Sequence, residues 1–408
     1  MKKRILVRGP VLSQSGYGEQ ARFALRALRS QEDKYDIHIQ PIRWGQTGWI
    51  WEDTEERRWM DEMITKGANY MRQKGQYDIS LQITIPNEWD QTAPLNIGYT
   101  AGIESDRVAP QWLFKANQMD KVVVVSNHSK TVFEKTQVEG KDPSTGQTMK
   151  YELTTPIDAV GYAVTDYPTE NIKEFSPTTD FNFLCISQWG PRKNFENTIR
   201  WWVEEFHDQN IGLILKTSIA SNSTIDKTKT EELLTSILSK YKSRKCKVYM
   251  LHGDLSAGQM RWLYSHEKVK CLINLAHGEG FGLPMFEASQ NGLPVMTIGW
   301  SGQMDYLTQD NKEYFIKIDH KLEPIGTNAV WDGVLQADSK WAYAEQGSFK
   351  MNLRKVRKNW KKFKKQATKL QSLIKERYTQ EIMYKQFCDS IENIKLHTHP
   401  MFGELETE

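Results

Sequence analysis

Cysteine is scarce and scattered. The 408 residues contain four, Cys185, Cys246, Cys271 and Cys388, and no two form a C-x-x-C pair. That excludes a disulfide-stapled scaffold and a cysteine zinc site, and it fits reduced, packing cysteines in a cytoplasmic protein. No apolar run approaches the roughly 18 residues of a membrane span, so no transmembrane segment is expected. The N-terminal stretch MKKRILVRGPVLSQ has too short an apolar region for a secretory signal. A net charge of only +3 gives no global attraction to a polyanion. Internal repeats and low-complexity tracts are also lacking. The first glycine-rich stretch, Ser13 to Gly18, matches neither G-x-G-x-x-G nor G-x-x-x-x-G-K-[ST], so dinucleotide and P-loop readings fail.

What is present is ordinary globular composition, 39% hydrophobic and 26% charged, in a chain too long for one average domain. Buried-strand patterns alternate with helical ones over residues 1–165, which predicts a first doubly wound domain. Arg4–Val7 opens it and leads into a loop carrying Gly16, Tyr17 and Gly18, whose glycines permit close approach of backbone to a ligand. A helix with Ala21, Ala24, Leu25 and Leu28 on one face follows. Strand ends near Thr100 and Ser126 deliver Glu104 and His128 as further candidates, although Asn127 and His128 also suit a helix cap. The segment Trp44 to Trp51 holds three tryptophans and is either a core corner or an aromatic platform, with Trp49 and Trp51 expected in the core.

Residues 166–178 are polar with two prolines and read as a linker. A second domain is expected over residues 179–335, with strands near 181–187, 211–215, 248–251, 271–275 and 293–298. Its first strand runs into Arg192 and Lys193, a cation pair at a strand-to-helix loop that can neutralise a diphosphate. Its last motif is HGEGFGLPMFEASQNG, residues 277–292. Three glycines form a loop at the carboxyl end of a strand, Pro284 opens a helix, and Asn291-Gly292 closes it. Ligands of open α/β sheets bind at such a place, and the helix N-terminus offers N–H groups to an anion. Glu279 lies in the loop and Glu287 one turn into the helix, so the two can hold different parts of one elongated ligand. Glu287 alone also reads as helix-dipole compensation.

This stretch resembles the E-x7-E signature of retaining glycosyltransferases of GT-B architecture, family 4 in particular. Asn291-Gly-Leu-Pro-Val295 is similar to that family's Gly-x-Pro-Val continuation, and Gln188 to Asn194 to its cation element, with Lys193 the closer match. The family often has a His in the stretch that here reads Thr100-Ala-Gly-Ile-Glu104. GPVLSQSGYG, WGQTGW and IPNEWD are similar to virus-encoded members. The resemblance implies an α/β fold of two Rossmann-like doubly wound domains facing a cleft, with C-terminal helices crossing back to the first.

It further implies transfer of a sugar from a nucleotide-diphosphate donor, UDP-sugar by default, with no cofactor and no metal. No D-x-D tripeptide is present for the metal-dependent alternative fold. Glu279, Arg192 and Lys193 take the catalytic part. Gly280, Phe281, Gly282, Leu283 and Glu287 hold the donor, with Gly16 and Leu255. Tyr17, Gly18, Glu104 and His128 lie on the acceptor side.

Residues 336–408 read as a basic helical segment. Eleven Lys/Arg face one acid between 351 and 377, beside one apolar seam from Leu353 to Ile374. Such a row suits a polyanion, which makes hydroxymethylated-base DNA the expected acceptor. A lipid or saccharide acceptor, a nucleotide-sugar 2-epimerase on the same fold, and a non-catalytic sugar- or nucleic-acid-binding protein are the rival readings.

Overall fold

A computed structural model gives the fold over residues 2–141, 148–173, 175–392 and 394. Two six-stranded sheets carry it, and every pairing within them is parallel. In the first, the spatial order is Tyr35–Pro41, Lys3–Gly9, Ile79–Ile83, Leu95–Thr100, Lys121–Val124 and Ile157–Ala159. In the second it is Lys247–Leu251, Gly212–Lys216, Asn182–Ile186, Val269–Asn274, Val295–Ile298 and Ile316–Ile318. Strands of this kind are covered on both faces, which is why they read as near-continuous apolar runs. Ile5, Val7, Leu81, Val122 to Val124, Leu213 to Leu215 and Ile273 are fully buried.

The order of strands positions the site. In each sheet the chain leaves its first strand toward one edge and later crosses back to that strand's other side. The loops on either side of the crossing diverge and leave a crevice at the strands' carboxyl ends. In the second sheet the switch lies between Asn182–Ile186 and Val269–Asn274, so the loops after these two strands border one crevice.

Helix starts follow their polar caps. Ser15, Thr54, Ser126, Ser223 and Ser256 each accept a backbone N–H of the first turn, and Ser256 with Gln259 forms a capping box. Ser126, rather than Asn127 or His128, caps the helix Asn127–Lys135.

The C-terminal segment is not helical throughout. Lys340–Ala344 is a strand paired with His320–Pro324, and the helix begins at Gln346 and runs to Arg377. It kinks at Asn359 (φ −121°, ψ 32°), next to Trp360, whose indole N–H donates to the Lys270 carbonyl at 2.9 Å. Its seam of Leu353, Val356, Ala367, Leu370 and Ile374 is buried. The chain then crosses back. The Val164 N–H donates to the Tyr378 carbonyl at 2.7 Å, and the helix Gln380–Glu392 packs on the helix Gly16–Arg29, with Glu392 2.9 Å from Lys34. The end of the basic segment, 395–408, lies outside the described residues. Among the described residues no helix is long and apolar enough to cross a membrane. All four cysteines are buried and free.

Candidate functional site

Two loops meet over the switch point of the second sheet. After Ile186 a short 3-10 turn, Pro191–Lys193, ends at Asn194, whose left-handed φ of 50° hands the chain to the helix Phe195–Phe206. Asn tolerates that conformation better than most residues. After Asn274 comes the glycine loop, which ends at Gly282 (φ 85°) and starts the helix Leu283–Gln290. The His277 N–H donates to the Arg192 carbonyl at 2.8 Å and pins one loop to the other.

Four charges converge there. Lys193 Nζ lies 2.6 Å from Glu279 Oε1, and Arg192 Nη1 lies 3.1 Å from Glu279 Oε2. The same Arg192 nitrogen donates to the Gly278 carbonyl at 2.7 Å, while its Nη2 lies 3.0 Å from Glu104 Oε1 of the first domain. Burial alone would raise the Glu279 carboxyl, but Lys193 and Arg192 override it and hold the group down to about 2. Burial and the neighbouring Arg192 pull the Lys193 ammonium down, against the pull of Glu279. The Glu279 backbone is fixed as well. Its N–H donates to Ser301 Oγ and its carbonyl accepts the Gly302 N–H, both at 2.9 Å.

The glycines of this loop have a second use. A Cβ on Gly280 would overlap the Ala101 carbonyl oxygen, and one on Gly278 would overlap that of Glu104. Close approach at these two positions therefore serves the backbone of the first domain, not only a ligand. Gly282 is needed for its positive φ, and its carbonyl accepts the Tyr306 hydroxyl at 2.8 Å. The Phe281 ring is buried, 4.9 Å from Tyr162 and 5.0 Å from Tyr306, so only its backbone can face a ligand. In the first turn of the helix at Leu283, Pro284 has no N–H and the Met285 N–H donates to the Gly282 carbonyl at 2.9 Å, so the Leu283 N–H is the one left without an intrahelical acceptor.

Glu287 stands apart from this cluster. Burial pushes its carboxyl up to about 7, with Tyr264 partly opposing by donating its hydroxyl to Oε2 at 2.7 Å. Leu255 is half-buried, between the strand Lys247–Leu251 and the helix Ala257–Ser265.

On the first domain, Gly16, Tyr17 and Gly18 form the first turn of a helix rather than a loop, because Ser15 caps it by accepting the Gly18 N–H. Gly16 is exposed with open space at its Cβ position; Gly18 is buried against the Ser13 carbonyl. The Tyr17 hydroxyl is 2.8 Å from Thr100 Oγ1, and its ring lies tilted against Trp44 with the centroids 4.2 Å apart. His128 packs edge-on to Trp300 of the second domain at 4.9 Å, and burial pulls its imidazole down to about 4, so it is neutral at pH 7. Trp49 and Trp51 are not core residues: they are 47% and 75% exposed. They lie in an irregular loop tied to the first domain by a bridge between Ser13 and Trp49.

The structure thus brings Glu104, Arg192, Lys193 and Glu279 together and puts Glu287 and Leu255 in separate places. Sequence reading missed Ser301, Tyr306 and Tyr264. Ser301 had a faint signal in the turn Gly299-Trp-Ser-Gly302 after a strand. Tyr264 had none, since its partner lies 23 positions away on another helix.

No family model matches the chain, and no curated protein matches it. Solved structures do. Sucrose-phosphate synthase from Thermosynechococcus elongatus superposes with a TM-score of 0.61 at 10% identity, covering 95% of this chain and 98% of that one. A glycosyltransferase from Rickettsia africae gives 0.58 at 11%, over 96% and 98%. HepE of Anabaena, in complex with UDP and glucose, gives 0.55 at 13%, over 96% and 99%. With two parallel six-stranded sheets aligned over nearly the whole length of each, the chain has the α/β, two-domain GT-B fold.

Proposed function

We propose that the chain is a retaining glycosyltransferase of the family 4 type, moving a sugar from a nucleoside-diphosphate donor to an acceptor hydroxyl. The observation that carries this is the meeting of Arg192, Lys193 and Glu279 at the switch point beside a helix N-terminus. When the bond between the sugar's anomeric carbon and the diphosphate breaks, its electron pair goes to the phosphate oxygen. Two fixed cations and a helix N-terminus stabilise that growing charge without reorganising.

Glu279 and the backbone N–H groups of Phe281 to Leu283 orient the sugar hydroxyls. Glu287 takes the ribose diol, and Leu255 borders the base. Gly16 faces the donor phosphates, while Tyr17, Gly18, Glu104 and His128 line the acceptor side. The UDP in the HepE complex supports UDP-sugar as the donor. The cations occupy the part a metal has elsewhere, so the reaction is proposed to be metal-independent.

The proposed acceptor is a polyanion, with hydroxymethylated-base DNA as the specific reading. Lys355, Lys358, Lys361, Lys362 and Lys365 are exposed, with no acidic partner among the described residues. The helix's apolar seam is already buried on the second domain, which leaves no apolar face for a lipid surface. The segments similar to virus-encoded proteins support the same reading. Incubation with a panel of nucleotide sugars, with mass spectrometry following nucleotide release with and without duplex, saccharide or lipid acceptors, tests it. Release of UDP that needs an acceptor supports transfer. Interconversion of the nucleotide sugar alone would make it an epimerase, and no reaction with any donor would leave a binding protein.

A further inference from the structure

We infer that Glu104 is a displaceable internal anion, which holds Arg192 from across the cleft and yields it to the donor diphosphate. This rests on the donor reading above. Arg192 has five N–H donors in a rigid fork. Its Nη1 is committed within the second domain, to the Gly278 carbonyl and Glu279, whereas its Nη2 reaches Glu104 of the first domain. Glu104 stands at the end of the loop that follows the strand Leu95–Thr100, and its own carbonyl packs on Gly278. Residue 104 therefore touches the second domain twice, once through backbone and once through charge.

The formal charges decide which contact gives way. Arg192 and Lys193 supply two positive charges, and Glu279 and Glu104 supply two negative ones, so the cluster as it stands offers a diphosphate no net attraction. One carboxylate must withdraw. Glu279 cannot, because its side chain is 9% exposed, both its oxygens are paired, and its backbone is held by Ser301 and Gly302. The Glu104 side chain is 25% exposed, and Arg192 is the partner of its carboxylate among the described residues. Its withdrawal restores one net positive charge and frees the Arg192 fork for phosphate. Donor binding and the cross-domain tie are then coupled, and the coupling is reciprocal: loosening the tie tightens the donor by the same factor.

Calorimetric titration of UDP into the wild type, Glu104→Gln and Glu104→Ala separates the outcomes. Both variants are expected to bind UDP about five- to tenfold more tightly than wild type, within the usual range of such couplings. Adding Arg192→Gln to Glu104→Gln should abolish the gain, because the freed fork is its source. In turnover the donor KM should fall in Glu104→Gln, a change that a merely structural role would not produce. Unchanged or weaker UDP binding in the folded variants would overturn the inference while leaving the donor reading intact. Failure of the wild type to bind UDP, ADP or GDP would overturn both.

Discussion

Tyr264 donates its hydroxyl to Glu287 at 2.7 Å, and this one bond is set against a burial strong enough to push the Glu287 carboxyl up to about 7. Eight positions earlier, Glu279 is held down to about 2 by Lys193 and Arg192. Two carboxylates of one motif thus titrate far apart because one has cations beside it and the other is buried without them, with only a phenol opposing the shift. Groups whose environments separate their pKa values in this way commonly divide the work of a site.

The donor KM should therefore depend on pH through Glu287. Only the ionised carboxylate accepts both hydrogens of a ribose diol, so KM should fall as pH rises from 6 to 8, by up to about tenfold. Glu287→Gln should flatten the profile, and Tyr264→Phe should move its midpoint upward by removing the bond that favours ionisation. The stability term has the opposite sense. Because the folded pKa is raised, its contribution is full below the unfolded carboxylate value and is lost as pH rises through about 7. A flat wild-type KM profile would take Glu287 out of the donor site.

Glu279 and Lys193 should behave as one unit. Removing Glu279 strands the Lys193 charge, at a cost of about 3 kcal/mol, and removing Lys193 leaves Glu279 with Arg192 alone. Chemical denaturation of Glu279→Gln, Lys193→Met and the double variant should show each single loss to be large and the double loss well below their sum. Both single variants should also lose kcat more than they raise KM, since the charge they manage develops in the transition state. Additive stability losses would mean that the pair is not coupled.

Most of the fold was legible because a parallel sheet buried on both faces writes its strands as apolar runs, as at Lys121–Val124 and Gly212–Lys216. That Arg192, Lys193 and Glu279 belong to one site was legible through the family resemblance, but their pairing with one another was not, because the cations read as partners of a diphosphate. The reach of Glu104 to Arg192 was not, because it depends on how two domains meet. The exposure of Trp49 and Trp51 escaped for a different reason: tryptophan is usually buried, and nothing local says that a glycine-flanked loop will leave it uncovered. Polar caps located helices better than they located function, as at Ser126, where Asn127 instead gives its N–H to Asp305 of the second domain at 2.7 Å.

Gly280→Ala should be far more damaging than Gly190→Ala, although both glycines lie in loops of the second domain. The new methyl group at 280 meets the Ala101 carbonyl, a backbone atom that cannot turn aside, whereas nothing lies within 4 Å of the one at 190. Gly190 is also extended, at φ −177°, a conformation any residue adopts. Thermal denaturation and turnover should both drop in Gly280→Ala and stay near wild type in Gly190→Ala. Equal behaviour of the two would show that the first domain does not press on the loop.

Turnover should persist in excess EDTA. On the proposed reading, Arg192 and Lys193 with the helix N-terminus at Leu283 supply the positive field that a metal would otherwise bring. Loss of activity on chelation, restored by Mg²⁺ or Mn²⁺, would contradict this.

The lysine row gives the acceptor reading its own test. Lys355, Lys358, Lys362 and Lys365 follow one another at intervals of three and four along the helix and so share one side of it. Lys364, between them, is turned inward and donates to the Gly292 carbonyl, the far end of the helix whose start carries the glycine loop. A duplex held on this row would be gripped through its phosphates and not read by sequence. If about six cations are neutralised on binding, log K should fall against log salt with a slope near −5. Replacing Lys358, Lys361, Lys362 and Lys365 by Gln should flatten that slope toward −2 while donor hydrolysis is unchanged, because none of the four touches the Arg192 cluster. Vesicles of anionic lipid, run beside the duplex, distinguish a general attraction to surfaces from a preference for nucleic acid. No duplex binding at about 50 mM salt would remove DNA as the acceptor and favour a lipid or saccharide.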